Sequence, residues 1–145
     1  MAMVFDVAKY ILEKQGTMST MKLQKLCYYA QAWSLVWDDE ELFPEEFEAW
    51  ANGPVCRALY NAHQGLFKIS SHNIPSDKLT NTLTENQKDT IDHVLEHYGK
   101  QDAQWLSTLT HMEAPWRDAR KDCAPGQRCD NIITKASMVE YYGSL

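Results

Sequence analysis

The segment MKLQKLCYYAQAWSLVW, residues 21–37, carries apolar side chains around most of the circumference of a helix. At about 100° per residue, these side chains fall into two stripes on opposite sides, Leu23, Leu26, Cys27, Ala30, Trp33 and Trp37, and Met21, Tyr28, Ala32 and Leu35. Only four residues are polar enough to be expected in water: Lys22, Gln24, Lys25 and Gln31. A helix that is apolar on two sides is packed from two directions, so this segment predicts the central helix of the fold.

The rest of the chain predicts a small, mainly α domain around that helix. Helical spacing, capping residues and turn signals indicate about six helices and two or three short β-strands. A length of 145 residues fits one domain, which we place over residues 1–145. We found no internal repeat and no low-complexity tract. The fold class expected is therefore a single compact, mainly α domain.

A corner in the chain follows at FEAWANGPV, residues 47–55. Phe47 and Ala49 alternate with polar or half-exposed neighbours, which is typical of a short strand. Gly53 supplies conformational freedom for a turn, and Pro54 is suited to the first position of a helix, where a missing amide hydrogen costs nothing. The sequence therefore predicts a strand, a turn and a helix that begins at Pro54.

Acidic residues crowd into the segment before this corner. The chain has a net charge of −6, and the segment from Asp38 to Glu48 contains seven carboxylates and no basic residue. Such a field repels phosphate, which disfavours nucleic acid as a partner. The segment is either a solvated loop or a surface that attracts a basic protein partner. On the second interpretation, Glu45, Glu46 and Glu48 are candidate partner-binding residues, with Trp50 as an anchor.

Targeting signals and cysteine usage indicate a reduced, water-soluble setting. No secretory leader opens the sequence, and no window approaches the ~18 apolar residues that span a bilayer. The four cysteines form no CxxC pair. We therefore expect free thiols, a cytoplasmic location and no membrane partner.

Catalytic patterns are weak throughout the chain. The segment HVLEH, residues 93–97, matches a zinc-peptidase arrangement, but His93, Glu96 and His97 fall on the helix face opposite the apolar residues. Cys56 near a helix start is the best candidate nucleophile, although ordinary packing explains it as well. No Gly-rich phosphate loop is present. We expect no enzymatic activity, no cofactor and no metal.

A second corner lies in LSTLTHMEAPW, residues 106–116. Pro115 breaks a helix there, Trp116 is expected to insert into the core, and His111 is placed to form a hydrogen bond across the break. The corner is either structural or a partner-facing aromatic site, so His111 and Trp116 are further partner-binding candidates.

A DNA-binding regulator is the alternative from another functional class. Gly16 separates the first two helices by a short turn, as in a helix-turn-helix. The second helix carries only Lys22 and Lys25 as cations, however, and is too apolar to lie in a groove. The sequence therefore argues against nucleic acid as a partner.

Three blocks of the sequence, taken in order, resemble one known family. They are KLQKLCYYAQAWSL (22–35), LFPEEFEAWANGPVCRALY (42–60) and LSTLTHMEAPWRDAR (106–120). Together they are similar to the Panacea domain of SocA-like antitoxins and phage-associated GepA-like proteins, over about residues 21–121. Tyr28, Tyr29, Gly53 and Pro54 belong to these blocks as structural residues. Cys27, Asn52 and Cys56 depart mildly from the family pattern.

The resemblance implies a function as well as a fold. It implies a bacterial or prophage-encoded antitoxin that neutralises a protein toxin, often one encoded by a neighbouring gene. Neutralisation would occur by direct binding or by delivery of the toxin to a ClpXP-type protease. No catalytic residues accompany this family.

Overall fold

The computed structural model describes residues 1–145 and contains seven α-helices and five short strands. The helices are α1 (Val4–Gln15), α2 (Thr20–Trp37), α3 (Arg57–His63), α4 (Glu85–Tyr98), α5 (Ala103–His111), α6 (Ala114–Ala119) and α7 (Lys135–Tyr142). The strands are β1 (Met18–Ser19), β2 (Phe47–Trp50), β3 (Gly53–Cys56), β4 (Lys68–Ile69) and β5 (Ile132–Ile133). The predicted mainly α fold class is confirmed.

Helix α2 is the centre of the fold, as its two apolar stripes predict. Ser19 caps its first turn by accepting a hydrogen bond from the amide of Lys22. The helix packs against α1, α4, α5, α7 and strand β3. Every residue from Leu23 to Ala32 is buried. No helix in the chain combines the length and the apolarity that a membrane crossing requires.

The expectation that Gln24, Lys25 and Gln31 face water is wrong, because all three are buried. The two glutamines are accommodated because each pairs with backbone groups of another segment. Gln24 accepts from the Cys56 amide at 2.8 Å and donates to the Cys56 carbonyl at 3.2 Å. Gln31 accepts from the Leu42 amide and donates to the Phe43 carbonyl. Polar side chains on α2 therefore satisfy buried backbone groups of β3 and of the segment that follows α2.

The small sheets hold the chain around α2. Strands β3, β2 and β5 form one antiparallel sheet in that order, and β1 pairs with β4 in another. The prediction that a helix begins at Pro54 is wrong, since Pro54 lies in β3 opposite Ala49 and the helix begins at Arg57. Proline is tolerated because β3 is an edge strand, where one missing amide hydrogen breaks no sheet pairing.

A buried carboxylate ties α2 to the C-terminal helix. The Glu113 carboxylate accepts hydrogen bonds from the hydroxyls of Tyr29 and Tyr142, each at 2.7 Å. The Tyr28 hydroxyl lies 3.1 Å from that of Tyr142. Burial raises the pKa of Glu113, and the two tyrosine hydroxyls partly oppose this shift. Tyr28 and Tyr29 are therefore part of a buried hydrogen-bonded cluster between α2 and α7.

The cysteines differ from the prediction of four free thiols. Cys27 and Cys56 are free and buried, but Cys123 and Cys129 form a disulfide. The loop between the bonded residues contains Pro125 and Gly126, and Gly126 has a φ of 75°. This turn brings the two Cα atoms to 6.1 Å, within the range that a disulfide spans. The spacing forms no CxxC motif, so the sequence pattern did not indicate the bond.

Thiol titration tests this cysteine assignment. Protein purified without reductant should show no rapidly reacting thiol when native, because both free cysteines are buried. Denaturation should expose two thiols, and reduction before denaturation should expose four. Four thiols in the denatured, unreduced protein would contradict the disulfide.

Candidate partner-binding surface

The hairpin of β2 and β3 is held from below by α5 and α6. The Ser107 hydroxyl donates to the Asn52 carbonyl at 2.6 Å, and the Trp116 indole donates to the Trp50 carbonyl at 2.9 Å. The buried Arg120 guanidinium donates to the Ala49 carbonyl at 2.8 Å. The turn that the sequence predicts is therefore fixed by side chains from a distant part of the chain.

The side chain of Trp50 is half-buried on the outer face of this hairpin. Its indole donates to the Glu48 carboxylate at 2.8 Å. The ring of Tyr60 meets it edge-on at 4.8 Å between centroids, and the Arg57 guanidinium lies 5.3 Å from its ring centre. Trp50 is thus an aromatic side chain held in one orientation by three neighbours, with part of its surface open.

Glu48 supports this arrangement from within the chain. It forms a bidentate ion pair with Arg57, at 2.9 and 3.0 Å. Burial raises the pKa of Glu48, but the hydrogen bonds from Arg57 and Trp50 outweigh burial and the pKa lies below its usual value. Glu48 is therefore bound mainly to neighbours in the same molecule.

Most carboxylates of the acidic segment are bonded to other groups of the same chain. Glu45 is half-buried and accepts a hydrogen bond from the Val4 amide at 3.0 Å. Glu46 is exposed and has no bonding partner in the chain. Three other carboxylates, those of Asp38, Glu40 and Glu41, form a hydrogen bond or an ion pair within the chain. Asp39 is exposed. Among the predicted acidic contacts, Glu46 is the one available without breaking an internal bond.

Beneath the hairpin turn lies Lys25, which is fully buried. Its ammonium group donates to the Pro54 carbonyl at 3.3 Å. Burial lowers the pKa of Lys25 to about 7. Gly53 covers the side chain so closely that a Cβ atom there would lie 2.6 Å from the Lys25 Cε atom. The Gly53–Pro54 motif thus forms a cover over a buried amine.

His111 and Trp116 form a stacked pair at the second corner. Their ring centroids are 4.0 Å apart and the planes differ by 11°. The predicted hydrogen bond of His111 across the helix break is wrong, because its buried Nε2 atom has no partner in the chain. Burial lowers the pKa of His111, and the charges of Lys25 and Arg120 lower it further. Trp116 is partly buried against the core, so the corner has a structural role.

A cleft of about 660 Å³ opens beside Trp50. Besides Trp50, it is lined by Met21, Ala51, Asn52, Val55, Arg57, Tyr60, Asn61, Gln64, Arg128 and Cys129. Most of these residues escaped sequence reasoning, because α3 and the disulfide loop approach each other only in the folded chain. Among the missed residues, only Tyr60 gave a sequence signal, because it is an aromatic residue a few positions after the predicted turn.

The other chemical patterns lie apart from this cleft. His93, Glu96 and His97 are exposed, as predicted, and no group of three or more metal-ligating side chains is placed to hold a metal ion. Burial raises the pKa of Cys56 to about 11, which is the opposite of thiolate activation. Helix α2 is enclosed by other elements, so it does not present a recognition face as in a helix-turn-helix.

These features define a mainly α domain in which a buried central helix supports a rigid hairpin and an open cleft. The family model described as "Antitoxin SocA-like, Panacea domain" matches residues 23–117 of the 145. The chain therefore belongs to the SocA-like antitoxin family with a Panacea domain, as the three sequence blocks predict. No curated protein and no solved structure is significantly similar to it.

Proposed function

We propose that the protein is an antitoxin that binds a protein toxin and neutralises it without catalysis. Membership of the SocA-like antitoxin family supports a role in a toxin–antitoxin system. The toxin is expected to be encoded by a neighbouring gene in a bacterium or prophage.

The surface around Trp50 is the part of the molecule that best supports this function. Trp50 is half-exposed, and its ring is fixed by Glu48, Arg57 and Tyr60. A fixed aromatic side chain loses little conformational entropy when a partner covers it, which favours a binding hot spot. His111 and Trp116 support this surface from beneath the hairpin and are proposed as positioning residues for it.

Co-expression tests the function directly. The product of the neighbouring gene should inhibit growth alone, and this protein should restore growth and co-purify with it. Rescue in cells that lack ClpXP would assign direct neutralisation, whereas rescue only in cells with ClpXP would assign proteolytic delivery. Absence of both a complex and growth rescue would contradict the proposal.

Two surface substitutions separate anchoring from electrostatic steering. Trp50→Ala should weaken toxin binding about 30-fold, as expected for an aromatic hot spot. Glu46→Lys should slow association about threefold at low salt and reduce its salt dependence if the toxin surface is basic.

Glu96→Lys is the matched control for charge, because Glu96 is exposed on α4 outside the acidic segment. Association rates from surface plasmon resonance at several salt concentrations provide the measurement. An equal effect of the two Lys variants would refute steering by the acidic segment. Thermal unfolding should first show that each variant is folded.

A further inference from the structure

The cleft beside Trp50 has a chemical character that the chain as a whole lacks. Its lining includes the apolar and aromatic residues Met21, Trp50, Val55 and Tyr60. Its charged lining residues are both cations, Arg57 and Arg128, and no carboxylate lines it. In a chain of net charge −6, the cleft lining itself thus carries only cations, and the adjacent Glu48 carboxylate is paired with Arg57.

The two cations differ in their availability. Arg57 is held by the bidentate pair with Glu48, so its charge is largely compensated. Arg128 is exposed and forms none of the ion pairs in the structure. It precedes Cys129, whose disulfide to Cys123 fixes this end of the loop beside the cleft. Arg128 is therefore an exposed guanidinium in the cleft lining without an ion pair of its own, although its charge also acts on the Glu48 carboxylate that pairs with Arg57.

Carboxamide side chains complete the lining of the cleft. Asn52, Asn61 and Gln64 all line it, and none of their side chains forms a hydrogen bond within the chain. Each carboxamide offers both a donor and an acceptor, which is the pair of groups that an extended peptide backbone requires. A phosphate-rich ligand would instead require several free cations, and the net charge would repel it.

We propose that this cleft binds an extended peptide segment of a protein partner, with an apolar or aromatic side chain next to a carboxylate. The apolar side chain packs against Trp50 and Tyr60, and the carboxylate pairs with Arg128. The carboxamides bind the peptide backbone. This inference rests on the proposed function only in identifying the protein partner as the toxin.

Selection from a random peptide library displayed on phage tests the inference with the full-length protein. Enriched peptides should contain an apolar or aromatic residue beside Asp or Glu. Arg128→Glu and Tyr60→Ala should each weaken their binding at least about tenfold. Arg117→Glu and Trp105→Ala are matched controls, because both residues are exposed outside the cleft, and they should leave binding unchanged.

A charge exchange gives a result that a purely structural role of Arg128 would not produce. A selected peptide whose acidic residue is replaced by Lys should lose binding to the wild-type protein and regain it with Arg128→Glu. Enrichment without acidic residues, or equal binding by the cleft variants and their controls, would overturn the inference. Binding of a short oligothymidylate that Arg128→Glu abolishes would also overturn it, in favour of nucleic acid.

The growth assay separates this inference from the proposed function. If the wild-type protein rescues growth and the two cleft variants rescue it equally well, the cleft inference fails while the antitoxin function stands. If the wild-type protein does not rescue growth, the antitoxin function fails, and the peptide selection still decides whether the cleft is a peptide site.

Discussion

Replacing Gly53 by alanine should destabilise the fold by about 4 kcal/mol, from backbone strain of about 1–3 kcal/mol and overpacking of similar size. Gly53 has a φ of 118°, which side-chain-bearing residues rarely adopt. Its new Cβ atom would meet the Lys25 Cε atom at 2.6 Å and the Thr110 Oγ1 atom at 3.0 Å. Lys25 is fully buried and its amine is bonded to Pro54, so its flexible end has no solvent into which it can move.

Gly65→Ala separates the two contributions. Gly65 also has a positive φ, 93°, but no atom lies within 4 Å of the position that an alanine methyl group would occupy. It should therefore show backbone strain alone, about 1–2 kcal/mol. Urea unfolding of both variants measures the difference, and equal losses at the two positions would contradict the close packing over Lys25.

A double substitution locates the clash. Lys25→Ala removes the Cε atom, so Gly53→Ala should cost about 1–2 kcal/mol less in that background than in the wild type. Additive effects would show that the new methyl group does not meet Lys25. The same variants should lose partner binding along with stability, because the hairpin that Gly53 closes also positions Trp50.

Local patterns were enough to predict the outline of the fold. The apolar periodicity of residues 21–37 identified the central helix, and the alternation of Phe47 and Ala49 identified β2. Both signals arise from residues near in sequence, which share one element and one face. Pro54 was misassigned because its local preference for a helix start competes with strand pairing to Ala49, which the sequence does not display.

The interior polar contacts and the cleft depend on long-range contacts. Gln24 looks like a surface residue until Cys56, 32 positions away, supplies its backbone partners. Arg128 joins Trp50 and Tyr60 only because the disulfide loop folds back beside α3. Sequence reasoning found Trp50 through its corner, but it had no means of placing these partners around it.

Lys25→Met should stabilise the protein by about 3 kcal/mol near pH 6, because it removes a buried amine that must either carry charge in the interior or lose its proton. Burial lowers the pKa of Lys25 from 10.5 to about 7. The unfolded chain therefore binds one more proton than the folded chain between these pH values. Wild-type stability should rise with pH across that window, and the cost of burial is greatest below it.

The methionine variant should lack this rise, so the two stabilities should converge toward pH 10. Urea unfolding of both proteins from pH 6 to 10 measures this difference in the pH dependence of stability. Lys100→Met is the control, because Lys100 is exposed. Methionine leaves the Pro54 carbonyl without its donor, which offsets about 1 kcal/mol of the gain. A loss of stability at every pH would mean that the bond to Pro54 outweighs the cost of burial. A stable variant with weakened partner binding would instead show that the amine fixes the position of the hairpin at the expense of stability.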